Sequence, residues 1–231
     1  MKKPVFYTEL AYVLGLVLLG FGTAFMEAGD FGMSMIVAPA YLIYLKVSKT
    51  VAWFTFGMSE YLFQIVLLAV MCLVLRRFRL SYLFSFATAF IYGWILDGCC
   101  LLVRAIPCEG IPLRLVFYIG GMLISSLSIC FLYHTYLSPE VYELCIAEIS
   151  DKFGFPLSRC KTVYDCTSCL FAVILSFLFF GLWHFEGVNV GTIVCALING
   201  TLIGLFSKIF EKHYVFEDRF PKGRVFFKGK V

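Results

Sequence analysis

Six separate runs of about 20 apolar residues, each nearly free of charge, constrain this chain more than any other feature. That is the length an α-helix needs to cross a hydrocarbon core of ~30 Å. The runs extend from about Tyr7 to Met26, Thr55 to Leu75, Ser81 to Val103, Leu113 to Tyr133, Thr162 to Leu182 and Val188 to Phe210. Composition agrees: 61% of the residues are hydrophobic and 15% charged, against roughly 45–50% and 25% in soluble domains. The expected fold is an all-α membrane protein of about six transmembrane helices, forming one domain over residues 1–231.

Lys2 and Lys3 before the first run give it the look of a signal peptide. Glu9 interrupts the lead-in, the run is long, and no small-x-small cleavage site stands clear of it. A retained helix is the expectation. Loop charges then fix a topology. With the N-terminus cytoplasmic, fifteen of the nineteen Lys and Arg residues fall inside, and only Lys46, Lys49, Arg104 and Arg114 fall outside. The positive-inside rule expects this bias. Both termini, and a basic tail over 211–231, are therefore expected in the cytoplasm. The basic residues form no aromatic-interleaved face, which argues against nucleic-acid binding.

Two further stretches have helical patterning but are too short to span. The first, about 34–46, is strongly apolar, contains Pro39, and reads as re-entrant or packed within the bundle. The second, about 138–152, reads as an amphipathic helix in the interface or folding back. Ser138 is its expected N-cap and Pro139 its first residue. Its apolar face carries Val141, Leu144, Cys145 and Ile149, with Glu140, Glu143 and Asp151 elsewhere.

A shift of 104 to 107 residues brings the two halves into register. Ser34 falls on Ser138, Glu60-Tyr61 beside Tyr164-Asp165, and Ala-Phe-Ile-Tyr-Gly at 89–93 on Ala-Leu-Ile-Asn-Gly at 196–200. Each half reads as helix, short segment, helix, helix, one over about 7–103 and the other over about 113–210. Three spans per half make the second enter the membrane from the opposite side, giving two inverted three-helix repeats, an arrangement known in secondary transporters.

Gly187-Val188-Asn189-Val190-Gly191-Thr192 opens the last helix, followed by Ala196, Gly200, Ile203 and Phe206. With Gly20-Phe21-Gly22-Thr23-Ala24, Phe31-Gly32-Met33-Ser34 and Leu137-Ser138-Pro139, this resembles the YczE/YyaS/YitT family of bacterial membrane proteins. Met35 departs from the pattern, standing where a proline would follow Ser34. The resemblance covers roughly Leu14 to Ile209. It implies a six-helix protein of the bacterial cytoplasmic membrane and no reaction.

An ionisable side chain at depth costs at least ~2–3 kcal/mol, so it usually faces a partner or a cavity. Glu60, Asp97, Asp165 and Asn199 are the deep polar candidates. Arg104 is placed to neutralise Asp97. Asn199 also reads as a helix-pairing residue beside Gly200 and Gly204, whose spacing permits close packing. Glu27, Asp30 and His134 read as solvated helix ends, and His184 and Glu186 as turn residues. Cys166-Thr-Ser-Cys169 lacks further ligands at metal-binding spacing. Most of the ten cysteines are expected to be free thiols, with Cys99 or Cys100 pairing to Cys108 as the alternative.

No phosphate-binding, dinucleotide or nucleophile motif is present. The expectation is accordingly no catalysis, no cofactor and no metal. The leading function is a small-solute transporter or permease whose substrate site lies between the repeats, drawing on Glu60, Asp165, Asp97, Asn199, Ser34 and Ser138. Glu140 and Glu143 near the second short helix would repel an anion, so a zwitterionic, cationic or proton-coupled solute fits better. The alternative is a non-transporting regulatory, assembly or complex subunit. The bilayer is the expected surroundings, and a homo-oligomer stays open.

Overall fold

The computed structural model describes residues 3–79, 81–155, 157–181 and 188–220. His184, Glu186 and the tail residues Lys222, Arg224, Lys228 and Lys230 lie outside the described residues. The chain runs β1 (Val5–Tyr7), α1 (Thr8–Gly29), α2 (Ala38–Val47), α3 (Phe56–Leu75), α4 (Ser81–Arg104), α5 (Ile111–Tyr133), α6 (Val141–Phe153), α7 (Leu157–Phe180), α8 (Val190–His213) and β2 (Val215–Glu217). Six of these helices are long and apolar enough to cross a membrane, namely α1, α3, α4, α5, α7 and α8. α2 and α6 are the two short ones.

At the centre, α1 packs along α5. Between lipid-embedded helices the hydrophobic effect supplies little drive, so close backbone approach through small residues takes its place. A Cβ on Gly22 would overlap Ser125 Oγ, and Gly121 lies against the Gly22 carbonyl. Ser128 Oγ donates to Gly15 O at 2.6 Å. α3 meets α4 in the same way, at Gly57 and Gly93.

The short strands β1 and β2 pair in parallel, Phe6 opposite Phe216. Sequence patterning had not marked them, because three residues are too few to show alternation. Their pairing puts both ends of the bundle on one face. Phe6 stacks on Phe131 there, and Glu9 accepts from the backbone N–H groups of Arg219 and Phe220.

α2 starts four residues after Ser34, whose carbonyl accepts from Val37 and Ala38 N–H, and Pro39 falls in its first turn. α6 is capped at Glu140, not Ser138, so Pro139 precedes the helix. α6 folds back into the bundle. Its first residues are buried among α3 and α4, while its end, Phe153, is exposed. All ten cysteines are free thiols, with Cys99 and Cys100 buried and no bridge to Cys108.

Candidate functional site

The starts of the two short helices come together inside the bundle. Met35 and Ile36, leading into α2, share an apolar cluster with Tyr142 in the first turn of α6, closed by Phe63 and Tyr164. Beside this contact lies a polar group built by α3 and α6. Glu60 is fully buried, Gln64 is fully buried one turn further along the same face, and Glu140 is 2% exposed.

Gln64 organises the group. Its Oε1 accepts from Val141 N–H at 3.1 Å, satisfying one of the free donors at the start of α6. That fixes the amide orientation, so Nε2 donates both to Glu140 Oε2 at 3.2 Å and to Glu60 Oε1 at 3.4 Å. Each carboxyl keeps a second oxygen, Glu60 Oε2 and Glu140 Oε1, that is buried without a hydrogen-bond partner. The Tyr142 hydroxyl senses the Glu60 charge but makes no well-aligned hydrogen bond.

Glu60 enters five positions along α3 and Thr88 eight positions along α4, helices that run in opposite directions. At 1.5 Å per residue each lies roughly 6–11 Å from its helix start. Thr88 Oγ1 donates to Ser138 O at 3.1 Å, so the lead-in of α6 also reaches this depth. Burial, reinforced by the Glu143 and Glu60 charges, holds the Glu140 carboxyl well above the usual carboxylate range. Burial likewise raises Glu143, with Lys161 opposing.

Glu143 links this group to a cavity. It interacts electrostatically with Lys161 and Asp165 on α7. Those two residues, 3.9 Å apart, stand on the wall of a cavity of about 980 Å³ between α7 and α8. The remaining wall is mainly apolar, including Met35, Leu170 and Leu197. Gly200 and Gly204 also face the cavity, and a Cβ on either would meet open space. The close packing expected at these glycines is therefore absent, because α7 and α8 splay apart here.

The six residues singled out in the sequence do not form one site. Glu60 is in the buried group. Asp165 stands on the cavity wall; Tyr164, one residue earlier, turns toward Glu60 and Tyr142 instead. One residue is about 100° around a helix, which separates the two side chains. Asp97 caps α3: its carboxylate accepts from Gly57 N–H and from Thr55 Oγ1, each at 2.7 Å. Arg104 does not neutralise it. Arg104 donates to Glu27 Oε1 at 2.6 Å instead, because Asp97 faces the free N–H groups that begin α3. Asn199 Oδ1 accepts from Ser126 Oγ at 2.7 Å, joining α8 to α5. Ser34 and Ser138 lie in the lead-ins of α2 and α6, and both contribute backbone carbonyls. Glu27, expected to be solvated, is largely covered and ion-paired to Arg104, whereas Asp30 is exposed as expected and pairs with Arg114.

Gln64 was missed in the sequence, and Glu140 was read only as a charge near the second short helix that repels an anion. Gln64 carries no charge, and the amphipathic pattern of α6 sets Glu140 off the apolar face without giving it a partner. The available signal was the spacing of Gln64 four residues after Glu60, which puts both on one helix face.

A model of a family of unknown function (DUF6198) matches residues 6–208. The chain belongs to that family. No curated protein and no solved structure matches it. The DUF6198 chain is, on its six long apolar helices, a multi-pass membrane protein.

Proposed function

We propose that this protein is a small-solute permease of the bacterial cytoplasmic membrane, built from two inverted repeats with the solute site between them. The observation that carries the reading is a set of contacts that recur at a nearly constant shift. Arg104 at the end of α4 pairs with Glu27 near the end of α1. Glu211 and His134, each 107 residues further on, pair at the ends of α8 and α5. Lys46 at the end of α2 donates to Phe179 O at the end of α7, at 3.0 Å. Lys152 at the end of α6 donates to Val74 O at the end of α3, at 2.9 Å. Each lysine thus meets the carbonyl end of a long helix in the opposite half, where a cation is favoured.

Fold-level likeness to inverted-repeat carriers supports transport only by analogy. Two half-length helices that begin at mid-depth beside unfilled polar atoms are the local support. The carboxylates there favour a zwitterionic or cationic solute. The cavity between α7 and α8 offers the route, since the matching α3–α4 contact is closed at Gly57 and Gly93. Loop charge favours cytoplasmic termini. Membership of the wider YczE/YyaS/YitT group is part of the same proposal, carried by the motifs around Ser34, Ser138 and Gly191-Thr192.

The test is accumulation. Cells with and without the protein receive an isotopically labelled mixture of amino acids, amines and other small metabolites, and labelled contents are compared by mass spectrometry. The reading expects one solute class to track the protein, and the same class to enter vesicles carrying the purified protein. No protein-dependent movement in either system overturns it.

A further inference from the structure

The buried group holds two carboxyls within reach of one amide and offers them no cation. Glu60 and Glu140 share the Gln64 Nε2 donor, and each retains an oxygen with no partner. Groups facing the pair are Tyr12 on α1, Tyr92 on α4, Tyr142 and Glu143 on α6, and Tyr164 on α7. None of these carries positive charge. Among the described residues, the cation that reaches this region is Lys161, which interacts with Glu143 and Asp165. Two like charges buried side by side without compensation repel each other and lose their hydration, so such a pair retains a proton.

A route for that proton is also laid out. Glu143 is 7% exposed, one turn along α6 from Glu140, and interacts electrostatically with Lys161 and Asp165, which stand on the cavity wall. Residues three apart on a helix lie on one face. Carboxyl groups therefore lead from the interior to the wall of the α7–α8 cavity.

We propose that Glu60 and Glu140 together hold one exchangeable proton, and that Glu143 passes it between them and the α7–α8 cavity. The transfer is from carboxylic acid to carboxylate: an O–H bond breaks on one carboxyl and forms on the next, with water in the cavity as donor or acceptor. The proton site stands apart from any solute. The proton site does not rest on the permease reading; coupling of this proton to uptake does.

Dicyclohexylcarbodiimide tests the site on the purified protein in vesicles, with no solute present. The reagent consumes a protonated carboxyl: the carboxyl oxygen adds to the carbodiimide carbon, its proton goes to nitrogen, and rearrangement leaves a stable acylurea. Mass spectrometry locates it. Modification is expected at Glu60 or Glu140 at neutral pH, declining as pH rises, and unaffected by sodium ions. Combined Glu60→Gln and Glu140→Gln should lose it. Infrared spectra in heavy water should show the buried carboxyl exchanging its proton more slowly in Glu143→Gln than in the parent. The proposal is overturned by absence of modification at both residues in the parent, by protection with sodium, or by unchanged exchange in Glu143→Gln. The parent result decides the site even if the double variant fails to insert.

Discussion

Asp97 shows how a deep charge can belong to the scaffold. Its two carboxylate oxygens take the Thr55 hydroxyl and the Gly57 N–H, so it neutralises the positive end of α3. Asp97→Ala leaves a buried donor without a partner, which costs about 1–3 kcal/mol. Thermal unfolding in detergent should show that loss, and Asp97→Asn, which keeps an acceptor, should lose less. Equal melting of Asp97→Ala and the parent would remove the capping role. At this scale the sequence marks depth but not partners. Glu60 and Asp97 both read as polar residues inside apolar helices, yet one faces α6 and the other, on α4, caps the neighbouring helix α3. The difference comes from contacts 40 to 80 residues away, such as Gln64 with Val141, which a local pattern does not carry.

Helix pairs divide into closed and open crossings according to their small residues. α3 and α4 touch backbone to backbone at Gly57 and Gly93. α7 and α8 do not, and Gly200 and Gly204 face space. Gly57→Ala should therefore overpack the α3–α4 crossing and destabilise by about 1–3 kcal/mol. Gly204→Ala should leave stability unchanged or raise it by up to about 1 kcal/mol, as alanine is the better helix former. Melting temperatures of the two variants check the contrast, and comparable destabilisation by both would mean that α7 and α8 pack closely. The long helices were legible because 20 apolar residues have few other fates. The short ones were legible in extent but not in setting. The amphipathic pattern of α6 leaves Glu140, Glu143 and Glu148 off its apolar face without showing what covers them. Neighbouring helices cover all three, and the Arg77 and Arg79 guanidinium groups pair with Glu148.

At the scale of the whole molecule, two short helices start beside one buried polar group and run toward opposite ends of α3, α2 beside Phe56 and α6 to Val74. The Lys46 and Lys152 contacts put the ends of α2 and α6 at the ends of α7 and α3, helices that cross in opposite senses. The measurement that tests this most directly is thiol labelling with a membrane-impermeant maleimide in a background with Cys108, Cys160 and Cys166 changed to serine, the label being located by mass spectrometry. One single cysteine replaces Thr50, just after α2, and another replaces Asp151, near the end of α6. The account predicts that Thr50→Cys is labelled in intact cells and Asp151→Cys only after the membrane is opened. Labelling of both from the same side would contradict the inverted arrangement, and with it the central site.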